Sequence, residues 1–388
     1  MRFSILKHLC AILFVAWALP AQAYDTQAKA AFILDQSTGT VMLNKNGDDA
    51  VPPASMSKLM TLFMAFEAIR DGRLQWEEKL RVSQKAMDYG GSTMFLDITD
   101  RVTVEDLVRG VIVLSGNDAS AVLAEAMSFD GTEAGFAIMM GQRALEIGME
   151  NSTFANSNGW PNPRQRMSMR DLVTLSDQMI REFPNYYPMF SEREFAFDNR
   201  APSNTRNRNP LLALGIGADG LKTGHTKEAG YGLVGSAKKG DRRIIFAITG
   251  LDSAAARAEE AERIVAWAFR QFSAKAVGEE GTQLAQAQVW MGDARTVGLT
   301  TQGVPQILVP VSSADQVETT IEYKGPIEAP IGKGDVLAQL VINAPGLPQS
   351  TIPLVAMEDV GRGGFLPRIR TAAQVILAKL NGGLAGGS

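Results

Sequence analysis

The spacing of apolar residues predicts two strands and then a helix in the first part of the chain. Residues 30–43 form two short apolar runs around a Ser-Thr-Gly turn, which is the pattern of a strand pair. Over residues 55–70 the apolar side chains recur at helical spacing until Gly72, where the predicted helix ends. Ser55 is therefore expected at or near a helix N-terminus, with Lys58 on the same face.

The patterning up to residue 272 predicts a mixed domain. Residues 231–237 and 243–249 are strand-like and are joined by Lys-Lys-Gly-Asp, a good hairpin turn. Residues 154–168, rich in Asn, Pro and Arg, are predicted to form an irregular surface loop. Helical spacing marks four more segments, residues 104–113, 118–127, 169–180 and 254–272. The predicted fold class is α+β, an antiparallel sheet covered by helices.

The composition of the chain changes near residue 278. Short β-type runs punctuated by Gly, Pro and Asp fill residues 284–357 and predict a small all-β, β-sandwich-like domain. Over residues 362–382 the apolar residues recur on one helical face with basic residues interspersed, as in an amphipathic helix that lies on an anionic membrane surface. The alternative is a terminal helix packed on its own domain. The predicted domains are therefore residues 24–277 and 278–361, followed by the helix.

The first 23 residues have the features of a secretory signal peptide. Arg2 and Lys7 form a short positive region that precedes an apolar stretch, and a small-residue Ala-Gln-Ala cleavage site ends at residue 23. Cleavage would change the formal charge from −4 to −6 and would remove Cys10, the only cysteine among the 388 residues. The mature chain is therefore expected to be exported and to fold without disulfides.

The composition argues against several classes of function. With 45% hydrophobic and 21% charged residues the chain is an ordinary globular protein, and its negative net charge gives no reason to expect nucleic acid binding. His225 is the only histidine left after cleavage. A His/Cys zinc site then has no ligand set, so a zinc carboxypeptidase is excluded, and a Ser–His–Asp triad would depend on His225 alone. No metal is expected.

Three short motifs, in one order, predict acyl transfer through a serine ester. Ser-x-x-Lys alone is weak evidence, because it also occurs at Ser4 and Ser236. The other two motifs add independent weight, since together the three supply a nucleophile with its base, a hydroxyl–amide pair and a cationic strand that could hold a carboxylate. The motifs are Ser55-x-x-Lys58, Ser115-Gly116-Asn117 and Lys222-Thr223-Gly224.

Ser55 is the predicted nucleophile and Lys58 the predicted base. A serine hydroxyl is a weak nucleophile unless a base lies within hydrogen-bond reach, and no triad histidine is expected. The pKa of Lys58 must fall from about 10.4 toward ~7–8, which requires roughly 3–5 kcal/mol from burial and a second nearby cation. Lys222 is the candidate for that cation and for pairing with an anionic substrate.

The second motif is expected to transfer protons. The oxyanion is expected to be stabilised by backbone N–H groups. Ser115 can pass a proton to the leaving amine, and Asn117 can hydrogen-bond both a lysine and a substrate amide. One oxyanion donor is the N–H of Ser55, and the second is expected in the backbone near His225.

The residues after Lys222 are predicted to bind substrate. Gly224 would let a substrate approach the strand closely, and the hydroxyls of Thr223 and Thr226 are available to its carboxylate. The side chain of His225 is either part of the site or a plain strand residue. Alternation along a strand does not say which of these side chains faces the site.

Each motif also has an ordinary structural interpretation. Ser55 could cap a helix and Lys58 could be solvated. Ser115 could be a turn residue and Asn117 could be a cap. Lys222-Thr223-Gly224 could be the exposed end of a strand. The order of the three motifs in an exported chain favours the catalytic interpretation.

The sequence around the motifs resembles the low-molecular-mass penicillin-binding proteins, specifically D-alanyl-D-alanine carboxypeptidases of the penicillin-binding protein 5/6 type. Residues 52–61, Ser115-Gly-Asn and residues 219–226 carry the resemblance, which extends from the signal peptide to the C-terminal helix. It implies a transpeptidase/β-lactamase-like domain over residues 24–277, a small β-domain and a membrane-anchor helix.

The resemblance implies a peptidoglycan substrate, the stem peptide ending in D-Ala-D-Ala. Ser55 would attack the penultimate D-Ala carbonyl and release the terminal D-Ala, and water would hydrolyse the acyl-enzyme. Penicillin mimics the dipeptide and would acylate the same serine. No metal or organic cofactor is implied.

The resemblance also implies roles for the other motif residues. Lys58 would be the base, Ser115 and Asn117 would complete the proton network, and Lys222 with Thr223 would bind the terminal carboxylate.

The implied location is the periplasmic face of the cytoplasmic (inner) membrane, with peripheral anchoring by the C-terminus. The sequence departs from the family there, because Pro367 sits early in the anchor helix and the chain ends in a Gly-rich tail instead of aromatic residues.

Three other functions are weighed against this one. A class A β-lactamase shares the first and third motifs, but its Glu-x-x-x-Asn element does not occur between residues 118 and 221, and it has no C-terminal β-domain. D,D-endopeptidase action on cross-links would use the same site. A non-catalytic cell-wall scaffold or β-lactam sensor would not need the motif residues to be intact.

Overall fold

The structure, a computed structural model, describes residues 24–200 and 203–364. The predicted signal peptide, residues 1–23, lies outside the described residues, as do residues 365–382 of the predicted amphipathic helix. Among the helices of the described part, none combines the length and the apolar content needed to cross a bilayer.

The first domain is built around a five-stranded antiparallel sheet with strand order β2-β1-β7-β6-β5. A separate pair, β3 and β4, lies outside that sheet. The strands of this domain are β1 (Ala30–Asp35), β2 (Thr40–Lys45), β3 (Lys79–Arg81), β4 (Arg101–Thr103), β5 (Ala218–Thr226), β6 (Gly230–Lys239) and β7 (Arg242–Leu251). The sheet ends at β5, which pairs on one side only and is therefore an open edge.

Seven helices accompany the sheet in the described residues of this domain. They are α1 (Lys58–Arg70), α2 (Gln84–Met87), α3 (Val104–Arg109), α4 (Asn117–Met127), α5 (Glu133–Glu146), α6 (Met169–Glu182) and α7 (Ala254–Gln271). The predicted helix over residues 55–70 is confirmed from Lys58 onward, while Ser55 itself lies in the 3-10 turn Ala54–Ser57 that leads into α1.

Both faces of the sheet are covered, and alternation along β7 explains how. Ile245 and Ala247 belong to the large core that α1, α4 and α6 fill, whereas Ile244, Phe246 and Ile248 belong to a second core that α7 fills. A strand buried on both faces needs apolar residues at consecutive positions, which is why this strand was recognisable from its sequence. The predicted α+β fold, an antiparallel sheet covered by helices, is confirmed.

The second domain is all-β, as predicted. Its main sheet has the order β12-β14-β15-β10-β9-β13, and β11 pairs with β8 in a separate two-stranded sheet. The strands are β8 (Phe272–Ala276), β9 (Ala285–Trp290), β10 (Thr296–Thr301), β11 (Gln306–Pro310), β12 (Glu318–Glu322), β13 (Ile327–Glu328), β14 (Val336–Asn343) and β15 (Ser350–Ala356). The strand β8, which directly continues α7, was not predicted from the sequence. The boundary between the two domains at residue 277 stays a prediction.

Candidate active site

The turn that carries Ser55 is packed against two glycines. Gly224 of β5 faces it, and a Cβ at that position would lie 2.9 Å from the Pro53 carbonyl oxygen and 3.2 Å from Ala54 Cβ. Gly159 has φ +80°, and a Cβ there would overlap the Ala54 carbonyl oxygen. The absence of side chains at these two positions lets β5 and the loop around Gly159 approach the turn closely, so that Ser55 is held between them.

Lys58 is fully buried, and its ammonium nitrogen lies between three oxygen atoms. Its Nζ is 2.9 Å from Ser55 Oγ, 2.7 Å from Asn117 Oδ1 and 2.6 Å from the Asn158 carbonyl oxygen. The structure therefore brings together the nucleophile and base that the spacing Ser55-x-x-Lys58 predicts, and Asn117 of the second motif with them.

The pKa of Lys58 is lowered to about 7. Burial is the largest cause, since it disfavours the charged form, and the positive charge of Arg208 acts in the same direction. The carboxylates of Asp118 and Glu133 partly oppose them. The amine is thus poised to lose its proton near neutral pH, as a general base must.

The three partners of Lys58 also decide where its lone pair points. A neutral amine keeps two N–H groups and one lone pair, whereas the oxygens of Asn117 and Asn158 that contact it can only accept hydrogen bonds. The two N–H groups therefore go to those two oxygens. Ser55, whose hydroxyl can donate, is left facing the lone pair.

Ser115 and Lys222 form a second buried hydroxyl–amine pair. Ser115 is 2% exposed and takes the left-handed conformation, φ 63° and ψ 34°, at the end of the π-helical turn Gly110–Leu114. Lys222 Nζ donates to Ser115 Oγ at 2.9 Å and to the Thr223 carbonyl oxygen at 3.2 Å. Burial, then the charges of Lys58, Arg208 and Arg257, hold the pKa of Lys222 well below its usual value.

The other β5 residues divide between the two faces of the strand. Lys222 and Gly224 face the turn, so alternation places Thr223 and His225 on the opposite face. The exposed ring of His225 stacks on Tyr231, with ring centroids 3.9 Å apart. Thr226 Oγ1 accepts a hydrogen bond from Ala229 N at 3.0 Å, which fastens the β5–β6 turn.

The contact between the Asn158 carbonyl oxygen and Lys58 was not predicted from the sequence. The irregular conformation predicted for residues 154–168 is found, but a surface position is wrong for its middle part, since Asn156, Ser157 and Asn158 are buried. A backbone carbonyl can belong to any residue type, so only the polar composition was visible, and that composition does not distinguish a buried loop from an exposed one.

Two arginines near the lysine pair were also not predicted from the sequence. Arg208 donates to Ser92 Oγ at 2.6 Å and to the Leu114 carbonyl oxygen at 3.1 Å. Arg257 of α7 is 8% exposed, and its guanidinium lies over the Tyr231 ring. Both add positive charge near the lysine pair, and neither belongs to a local motif that could have marked it.

Within the described ranges, no cluster of three or more His, Cys, Asp or Glu side chains is arranged to hold a metal ion.

Comparison with protein families gives two adjoining matches. The sequence profile described as D-alanyl-D-alanine carboxypeptidase matches residues 18–253. The profile described as penicillin-binding protein 5, C-terminal domain, matches residues 272–362.

Individual proteins are similar over nearly the whole chain. D-alanyl-D-alanine carboxypeptidase DacC of Escherichia coli is 32% identical over 384 residues, which cover 94% of each chain. The crystal structure of penicillin-binding protein 5 from Haemophilus influenzae is 31% identical, with a TM-score of 0.76 over 88% of this chain and 100% of that one. Penicillin-binding protein D2 of Listeria monocytogenes in its ampicillin-bound form is 30% identical, with a TM-score of 0.57 over 63% of this chain and 98% of that one.

Proposed function

The chain belongs to the D-alanyl-D-alanine carboxypeptidase family, and from this premise we propose that it removes the terminal D-Ala from peptidoglycan stem peptides through an ester on Ser55. The observation that carries the proposal is the buried contact of 2.9 Å between Ser55 Oγ and Lys58 Nζ. A lysine that is deprotonated near neutral pH, with its lone pair directed at a hydroxyl, meets the requirement of an activated serine.

In the first step, Ser55 Oγ attacks the penultimate D-Ala carbonyl carbon and its proton passes to Lys58 Nζ. The oxyanion is stabilised by the Ser55 N–H and by a backbone N–H of β5 near His225, because β5 lies against the turn that carries Ser55. The C–N bond then breaks, and the amine of D-Ala takes a proton from Ser115, which Lys222 holds. Ser115 recovers a proton from Lys58, which thereby returns to the neutral amine. Water hydrolyses the ester and restores Ser55.

The terminal carboxylate of the substrate is proposed to pair with Lys222. The carboxylate offsets the repulsion that Lys222 experiences from Lys58, Arg208 and Arg257. The second proposed ligand is the hydroxyl of Thr223. Its side chain lies on the opposite face of β5 from Lys222, so this hydroxyl is proposed to reach the carboxylate at the open edge of the strand. Thr226 and His225 are proposed to shape the end of this binding strand through the β5–β6 turn and the ring stack.

The peptide backbone of the substrate is proposed to bind along β5. Because β5 is an edge strand, alternate N–H and C=O groups point away from β6 and can pair with an extended peptide. Gly224 leaves room for that approach beside Ser55.

Two assays on the purified protein test this proposal. A peptide ending in D-Ala-D-Ala should release D-Ala, and fluorescent penicillin should give a stable label that peptide mapping locates on Ser55. Rapid turnover of penicillin would indicate a β-lactamase instead. Absence of both label and D-Ala release would exclude the serine mechanism and favour the scaffold alternative.

The rate of acylation is expected to depend on pH through Lys58. Below its pKa of about 7 the lysine is protonated and cannot take the Ser55 proton. The labelling rate by penicillin should therefore rise by about tenfold per pH unit toward pH 7 and level off above it. Rates measured between about pH 5 and pH 9 in constant ionic strength check this, and a flat profile would contradict Lys58 as the base.

The C-terminal segment is proposed to attach the protein to the periplasmic face of the cytoplasmic membrane. Ending the chain after Gly364 should move it from the membrane fraction to the soluble fraction, because the basic and apolar residues of 365–382 are then lost. The matched control ends after residue 382 and removes only the Gly-rich tail. Equal membrane retention of the two truncated forms would contradict the anchor.

A further inference from the structure

Glu133 is a buried carboxylate that the steps above do not use. It is the first residue of α5 and is 2% exposed. Its Oε1 accepts hydrogen bonds from Ser157 N at 3.0 Å and Ser157 Oγ at 2.6 Å. Its Oε2 accepts from the Tyr89 hydroxyl at 2.7 Å and pairs with Lys85 Nζ at 2.9 Å. A carboxylate withdrawn from water in this way binds its partners firmly, so Ser157 is tied to the start of α5.

Ser157 directly precedes the residue whose carbonyl contacts the base. It is fully buried, and its own carbonyl oxygen accepts from Thr61 Oγ1 at 2.6 Å and Ser120 Oγ at 3.1 Å. Its N–H, hydroxyl and carbonyl are thus all fixed, and the next carbonyl along the chain, that of Asn158, lies 2.6 Å from Lys58 Nζ. Displacing Ser157 would displace that oxygen.

We propose that Glu133 is a positioning residue for acylation: by fixing Ser157 it holds the Asn158 carbonyl against Lys58, so that the lone pair of the amine faces Ser55. The inference rests on the proposed function. It deepens that function by assigning part of the base's orientation to a side chain on another helix.

Charges around the site give the proposal a second consequence. Although burial alone would raise its pKa, the hydrogen bonds from Ser157 and Tyr89 hold the pKa of Glu133 below its usual value, so it is an anion at neutral pH. Its charge raises the pKa of Lys58, and its removal should lower that pKa. The groups that face Lys58 are Lys222, Arg208, Asp118 and Glu133, and those that face Glu133 are Lys85, Tyr89 and Glu125.

Two substitutions separate position from charge. In Glu133→Gln the amide oxygen can still accept from Ser157 N and Oγ, so the position of Asn158 is kept while the negative charge is lost. In Glu133→Ala both are lost. We expect the plateau rate of penicillin labelling at high pH to stay near that of the wild type in Glu133→Gln and to fall by roughly 10- to 100-fold in Glu133→Ala.

The pH profile supplies a measurement that a merely structural role would not move. Because loss of the anion lowers the pKa of Lys58, the midpoint of labelling in Glu133→Gln should move to lower pH. The matched control is Glu125→Gln, a carboxylate of α4 that accepts from Ser83 Oγ at 2.9 Å and does not contact Ser157. Its midpoint and plateau should match those of the wild type.

The outcomes distinguish this inference from the function on which it rests. If wild-type protein takes no label, the proposed function fails. If wild-type protein is labelled on Ser55 but the Glu133→Gln midpoint does not shift, or Glu133→Ala reaches the wild-type plateau, the role of Glu133 is overturned. Thermal unfolding of each variant identifies any that fails to fold. If Glu133→Ala fails to fold, the isosteric Glu133→Gln still decides the test.

Discussion

Replacing Lys58 by methionine is expected to slow acylation of Ser55 by roughly 10²–10⁴-fold, the usual contribution of a positioned general base. The amine is the only base placed within 2.9 Å of Ser55 Oγ among the side-chain contacts of the described residues. Methionine fills much of the volume of the buried stem but has no lone pair on nitrogen. The rate of labelling with fluorescent penicillin, measured above pH 7, reports the loss directly.

The matched control for this substitution is Lys45→Met. Lys45 of β2 also donates to a backbone oxygen, that of Thr26 at 2.7 Å, but it does not contact the motif residues. Its labelling rate should stay within about twofold of the wild type, as for a substitution away from the site. If Lys58→Met folds, as thermal unfolding reports, and is labelled at the wild-type rate, the base must be another group.

Replacing Gly159 by alanine is expected to destabilise the fold and to displace Ser55. The positive φ costs about 1–3 kcal/mol for a residue with a side chain. The overlap of the new Cβ with the Ala54 carbonyl adds about 1–3 kcal/mol. The free energy of unfolding should therefore fall by roughly 2–6 kcal/mol. Because that carbonyl belongs to the turn that holds Ser55, labelling should slow by about 100-fold as well.

The control is Gly141→Ala on α5, where a Cβ meets no atom within 4 Å. An alanine in a helix is favoured over glycine by about 1 kcal/mol, so this variant should be slightly stabilised and fully active. Chemical denaturation and penicillin labelling of the two variants make the comparison. Equal stability of Gly159→Ala and the wild type would mean that the loop can move away from the turn without cost.

The geometry that the sequence predicts correctly is the geometry set by the spacing of neighbouring residues. Ser55 and Lys58 are three residues apart, so any helical turn places them on one side, and the structure joins them. The strands β6 and β7 were recognisable because a hairpin turn separates two apolar runs. Where geometry depends on a few neighbouring residues, pattern and composition are sufficient.

The parts that could not be predicted depend on contacts between distant segments. The Asn158 carbonyl reaches Lys58 across 100 residues, and Glu133 reaches Ser157 across 24. A carbonyl oxygen has no residue signature, and a glutamate at the start of a helix usually lies in solvent, where it interacts with the helix dipole. The conformation of Gly159 is likewise set by the turn that it meets, not by its neighbours in the sequence.

The pairing of β8 with β11 determines how the molecule can be divided into fragments. Phe272–Ala276 precede the change in composition at residue 278, yet they run along Gln306–Pro310 as neighbouring strands. A fragment that begins at residue 278 would leave β11 with an unpaired edge, the kind of surface on which chains aggregate. A stable β-domain must therefore begin no later than Phe272, at the point where α7 ends and without any linker between them.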